Sequence, residues 1–180
     1  QRGAAKRVTK TNRVCVSLIS ILLLSALGSV AAWRVGRHVS SGLKHVAALL
    51  PIALFACFIF HIEPVASGGV VTDTAAWVPS LGIDLAFRLD GFSLLFALLI
   101  TGIGSLVTIY ATSYFSEADA RERARFVFLI HLFMTAMLGT VLSDNLIVMF
   151  VFWEATSLTS FMLIGFETAK TEARRAALQS

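Results

Sequence analysis

Long uncharged stretches alternate along the chain with short polar ones, and five apolar runs stand out: Val14 to Ala32, Val46 to Ile62, Gly91 to Tyr110, Phe126 to Leu142 and Leu146 to Phe166. Each holds roughly 17 to 21 residues, which at about 1.5 Å per helical residue matches a hydrocarbon core of about 30 Å. The pattern predicts an all-α membrane protein of about five transmembrane helices. Pro51 falls near the start of the second run, where a helix tolerates it best. Asp90 precedes the third run as a helix cap, with Ser93 adding an oxygen to the first turn. The fourth and fifth runs are joined only by Ser143-Asp144-Asn145, a link so short that they form an antiparallel neighbouring pair.

Between the second and third runs the period changes. Ile83, Leu85, Phe87 and Leu89 alternate with Asp84, Ala86, Arg88 and Asp90, which is strand periodicity. A shorter candidate strand, Thr74 to Val78, precedes it, and Pro79-Ser80-Leu81-Gly82 reads as the turn. A small extramembrane β-hairpin between helices 2 and 3 follows. The organisation is therefore a basic amino-terminal tail over residues 1–13, helices 1 and 2 over 14–62 and the hairpin loop over 63–90. Helices 3 to 5 follow over 91–166, then a cytoplasmic tail or linker over 167–180.

Composition agrees. Of 180 residues 57% are hydrophobic and 14% charged, with a mean hydropathy of +0.80, against roughly a quarter charged in soluble domains. The net charge of +4 lies between the apolar runs, so it reports topology rather than a nucleic-acid surface. Arg34, Arg37 and Lys44; Arg121, Arg123 and Arg125; and Lys170, Arg174 and Arg175 fall on one side. The hairpin, with Glu63, Asp73, Asp84 and Asp90 against Arg88, and the Asp144 turn fall on the other. The first side is expected to be cytoplasmic and the amino terminus outside, although Arg2, Lys6, Arg7, Lys10 and Arg13 in the amino-terminal tail oppose this. The first run is expected to be a retained helix rather than a cleaved signal. Cys15 and Cys57 sit in different apolar runs and read as small buried hydrophobes. No phosphate-binding loop, dinucleotide fingerprint or nucleophile elbow appears, the two cysteines lack metal-ligand spacing, and no cofactor or metal is expected.

Glu154 is the exception to the pattern. It lies nine residues past Asn145, about 13.5 Å along the helix and close to the bilayer midplane. A carboxylate there costs about 2.5 kcal/mol or more. It has to be held neutral, paired with a cation or set beside water, and each option makes it a proton-binding or ion-coupling candidate. The alternative is a permanently protonated acid bonded to hydroxyls of neighbouring helices, with Ser157 one turn on as a partner. His131, in the fourth run, lies within one turn of Glu154 in depth and is either a proton relay or a hydrogen-bonded packing residue. Asp144 reads as a turn residue, Phe152 and Trp153 as packing or lipid-facing residues, and Gly102 and Gly104 as positions of close helix packing.

Several stretches resemble the large A-type subunit of the multisubunit Na⁺/H⁺ antiporters, the Mrp family. They are Trp77-Val78-Pro79-Ser80-Leu81-Gly82-Ile83, Leu89-Asp90-Gly91-Phe92-Ser93 and onward to Gly104, Met137-Leu138-Gly139 with Leu142-Ser143-Asp144-Asn145-Leu146, and Phe152-Trp153-Glu154-Ala155-Thr156-Ser157-Leu158. The similarity covers Trp77 to Ser180. That subunit is related to the antiporter-like subunits of respiratory NADH:quinone oxidoreductase, whose fifth helix reads Gly-Trp-Glu where this chain has Phe-Trp-Glu. The resemblance implies the amino-terminal part of a cation (Na⁺)/proton antiporter subunit in a multi-pass bacterial cell membrane. It also implies a lipid bilayer, the other subunits of a hetero-oligomeric complex, protons and a monovalent cation as partners. Glu154 then matches a family glutamate that pairs with a lysine on a later helix. The alternatives are a proton-pumping subunit of the respiratory complex and a non-transporting membrane scaffold.

Overall fold

The computed structural model describes residues 17–37, 46–115 and 119–166. The expectations for the amino-terminal tail, Cys15, Lys44, and Lys170, Arg174 and Arg175 lie outside the described residues. The order of elements is α1 (Leu18–Gly36), α2 (Leu49–Ile59), α3 (Ile62–Ala66), β1 (Val71–Val78), β2 (Ile83–Leu89), α4 (Gly91–Tyr114), α5 (Ala120–Leu142) and α6 (Leu146–Ile164). Five helical stretches among the described residues are long and apolar enough to cross a membrane: Leu18–Gly36, Val46–Ala66, Gly91–Ala111, Ala120–Leu142 and Leu146–Ile164.

The bounds differ from the sequence expectation where polarity and helix formation part company. α5 starts at Ala120 rather than Phe126 because Arg121 to Arg125 are adequate helix formers, and a helix does not stop where the hydrocarbon stops. The second run breaks instead of ending: α2 closes at Ile59, and α3 follows with Pro64 inside it, a residue that has no N–H to continue a ladder. β1 begins at Val71 instead of Thr74 and pairs antiparallel with β2 from Val71↔Leu89 to Val78↔Ile83, with an irregularity between Ala76 and Val78. A 3-10 turn, Pro79–Leu81, closes the hairpin on Gly82, whose φ of 66° suits glycine. The predicted alternation holds on β2: Phe87 and Leu89 are buried while Asp84 and Arg88 are exposed.

α5 is the centre of the bundle. It packs against α1, α4 and α6, while α2 lies on α4. Ten of its residues are buried, among them Met134, Leu138 and Leu142, whereas among the described residues α6 buries only Val148 and Thr159. Leu18, Ile21, Leu54, Phe58, Leu89, Met134 and Leu138 belong to one apolar cluster.

The hairpin ties three helix ends together at one end of this bundle. Asp73 of β1 accepts hydrogen bonds from the Ser17 hydroxyl and, at 3.2 Å, from the Ile19 amide, placing a carboxylate at the N-terminus of α1. Asp90 caps α4 by accepting from the Phe92 and Ser93 amides at 3.1 Å each, while the Asp90 amide donates to Ser93 Oγ at 2.8 Å. The Ser93 amide is the main reason the Asp90 carboxyl titrates below its usual range, with Arg88 Nε at 3.2 Å adding to it. The Asp144 amide, between α5 and α6, donates to the Ala86 carbonyl at 2.8 Å. At the opposite end Trp33 of α1 meets Phe128 of α5 at 5.7 Å, Gly36 lies against Ala124, and the Arg37 guanidinium stacks 4.2 Å over Trp33. Arg34 and Arg37 therefore share an end with Arg121, Arg123 and Arg125.

Candidate functional site

Asn145 sets the start of α6: its side-chain oxygen accepts from the Ile147 amide at 2.9 Å and from the Val148 amide at 3.4 Å. The helix then runs 19 residues, about 28 Å, and Glu154 is near its middle. Rotation about the axis is set by Phe152, whose ring packs on Gly139 of α5 and meets Phe87 of the hairpin edge-on at 6.1 Å. Since Val148, Phe152 and Thr159 face the bundle, Glu154 faces away from it. It is exposed, in a stripe with Ile147, Phe150, Val151, Leu158 and Phe161, which are exposed too.

Among the described residues Glu154 has no hydrogen-bond or ion-pair partner. The hydroxyls around it are engaged with the backbone of their own helix: Thr156 and Ser157 bond the Trp153 carbonyl at 2.6 and 3.5 Å, and Thr159 bonds the Ala155 carbonyl at 2.7 Å. The sequence had offered Ser157 as a partner for a neutral Glu154, and the described contacts do not bring the two together. The site is thus a carboxyl at mid-helix depth on an apolar face. Beside it, a cleft of about 560 Å³ between α4, α5 and α6 is lined in part by Thr140, Trp153, Thr156, Ser157 and Ser160, so residues flanking Glu154 carry hydroxyls along its wall.

His131 is fully buried, yet it is not joined to Glu154 by any contact among the described residues. Its Nε2 lies 3.4 Å from Thr108 Oγ1 of α4. One turn on, Thr135 donates to the His131 carbonyl at 2.8 Å and meets Ser25 of α1 at 2.6 Å. Similarity in depth was a matter of arithmetic along two helices; the side on which each group points was decided by packing. Sequence reading also passed over the hydroxyls buried with His131. Their signal is helical spacing: Ser25 and Ser29, then Thr101, Ser105 and Thr108, are all buried. Of the glycines, Gly102 and Gly104 do pack closely, against Phe55 and Met134. Gly139, which seats α6, was seen only as part of a motif.

The family model described as NADH-ubiquinone oxidoreductase (complex I), chain 5 N-terminus, matches residues 77–127. The model described as NADH:quinone oxidoreductase/Mrp antiporter, TM, matches residues 143–180, which include Glu154. With five bilayer-length helices, the chain is a multi-pass membrane protein of the antiporter-like subunit class.

Within that class it belongs with the A-type subunits of Na⁺/H⁺ antiporters, as their amino-terminal portion. It is 53% identical over 118 residues to the A-type Na⁺/H⁺ antiporter subunit of Alkalihalophilus pseudofirmus, covering 66% of this chain and 14% of that one. It is 48% identical over 117 residues to the A1-type subunit of Staphylococcus haemolyticus, covering 65% and 14%. The solved Mrp complex from Dietzia sp. superposes with a TM-score of 0.76 at 26% identity, over 91% of this chain and 17% of that one. The archaeal membrane-bound sulfane sulfur reductase shares the fold with a TM-score of 0.69 at 20% identity, over 88% and 24%. The chain thus matches about 14% of the length of these antiporter relatives.

Proposed function

We propose that this chain forms the amino-terminal part of a membrane subunit of a Na⁺/H⁺ antiporter and that Glu154 is a proton-binding group in its translocation path. The observation that carries the proposal is a carboxyl at mid-helix depth on the face of α6 turned away from the bundle, without a partner among the described residues. In hydrocarbon its ionised form costs about 2.5 to 3.5 kcal/mol, so it takes up a proton or meets a cation brought by other parts of the subunit. The apolar stripe on either side suits that face to burial against further helices, and the hydroxyl-bearing cleft beside Trp153 and Ser157 suits it to water. The end that carries Arg34, Arg37, Arg121, Arg123 and Arg125 is cytoplasmic on this reading, and the acidic hairpin lies outside. Other antiporter subunits, the bilayer, protons and a monovalent cation are its partners, and its activity is transport rather than enzymatic turnover. The names of the relatives at 45–53% identity favour exchange over a redox-driven pump.

The test is antiport by the complete complex in inverted membrane vesicles. Glu154→Gln and Glu154→Ala are expected to lower exchange at least about tenfold, equivalent to about 1.4 kcal/mol, with Glu154→Asp retaining part of it. Normal exchange by a fully assembled Glu154→Gln complex would remove the proposal.

A further inference from the structure

His131 carries a second inference. Thr108 has one hydroxyl hydrogen, and the 2.7 Å contact to the Gly104 carbonyl engages it. Toward His131 Nε2 it is therefore the acceptor, so Nε2 bears the hydrogen and Nδ1 carries the lone pair. That Nδ1 is buried and without a partner among the described residues. The buried hydroxyls described on α1, α4 and α5 have their hydrogens engaged elsewhere: Thr135 donates to the His131 carbonyl, Ser25 consequently donates to Thr135, and Ser105 donates to the Thr101 carbonyl at 2.7 Å. Thr101 and Ser29 likewise donate to Ala97 and Ala26 carbonyls. A buried basic nitrogen without a partner among the described residues calls for a donor such as an internal water.

We infer that His131 is a proton-accepting site in its own right, in which Nδ1 takes a proton from buried water on a hydroxyl-lined seam of α1, α4 and α5, separate from Glu154. On protonation the ring keeps its Nε2–H toward Thr108 and gains Nδ1–H from an excess proton carried on that water, which is left as neutral water accepting the new N–H. Among the described residues no charged side chain contacts His131. α4 has no charged residue, and α1 offers Ser25 and Ser29, with Arg34 and Arg37 nine and twelve residues beyond Ser25. Arg121, Glu122, Arg123 and Arg125 precede His131 on α5 by six residues or more, α6 contributes only the outward Glu154, and β2 holds Asp84 and Arg88 at the far end. With no countercharge among the described residues, the imidazolium rests on its hydrogen bonds to Thr108 and to water.

The experiment is isotope-edited infrared difference spectroscopy of the complete complex with ¹⁵N-histidine between about pH 5 and 8, the range over which histidine changes charge. The expected result is an imidazolium band in the native complex that is lost in His131→Gln, whose amide can still donate to Thr108, and that persists in Glu154→Gln. His131→Asn serves if the glutamine form does not assemble. A native spectrum indistinguishable from that of the His131 variant overturns the inference, and so does loss of the band in Glu154→Gln, which would make the two groups one path. The readout is independent of transport, so failure here and failure of the antiport proposal are told apart.

Discussion

Gly139→Ala tests the contact that orients α6. A methyl group at Gly139 would overlap Cγ, Cδ1 and Cε1 of Phe152. These atoms belong to the base and one edge of a rigid ring, so the ring must leave its place or the two helices must separate. Overpacking of this kind costs about 1 to 3 kcal/mol, and displacing the ring from Phe87 forfeits about 0.5 to 1.5 kcal/mol more. Alanine returns about 1 kcal/mol of helix propensity. The net is a loss of roughly 0.5 to 3.5 kcal/mol, measured as unfolding of the purified full subunit in detergent. Gly104→Ala is the control. Its methyl would come within 2.9 Å of Met134 Sδ, but a thioether on a flexible chain moves aside, so that variant should be neutral or more stable by up to about 1 kcal/mol. Phe152→Leu makes room at Gly139, and the double variant should show a coupling of about 0.5 kcal/mol or more. The reasoning is refuted if Gly139→Ala is as stable as the native protein, or if its effect simply adds to that of Phe152→Leu.

Two further predictions concern the end that carries the hairpin. Asp90→Ala removes the acceptor of the Phe92 and Ser93 amides and should lower stability by about 0.5 to 2 kcal/mol, seen as a lower thermal midpoint. Because the folded carboxyl titrates below its ordinary value, the cap contributes above the unfolded-state value and its contribution is lost as pH falls through the lower, folded one. The native and Asp90→Asn proteins should therefore differ in stability at neutral pH and converge in acid. Asp73→Ala uncaps α1 from a distance, and hydrogen exchange should quicken at the Ile19 amide while the amides of α4 keep their protection.

Much of the architecture was legible because hydrocarbon imposes a simple rule. A helix that crosses it needs about twenty apolar residues, and each of the five runs declared itself by length. The hairpin was visible through its period of two, and Asp90 through the chemistry of a cap. Glu154 was conspicuous because an acid among Phe150, Val151 and Leu158 contradicts its surroundings. What escaped was whatever depends on two distant segments meeting. Nothing in the local sequence links Asp73 to Ile19, Ser25 to Thr135, or His131 to Thr108, because these are joined by helix rotation and not by spacing.

Sequence alone therefore determined which of the described stretches are long and apolar enough to cross a membrane, the strand alternation and the presence of one acid at mid-span, since each follows from the make-up of a contiguous stretch. Only the tertiary structure decided which way the acid and the histidine point. That choice rests on packing at a few close contacts, with Phe152 seated on Gly139 turning Glu154 outward. The packing of α5 between α1 and α4 encloses His131 on another face. A helix rotated by one residue would keep every hydropathy value and turn a different set of side chains toward the bundle.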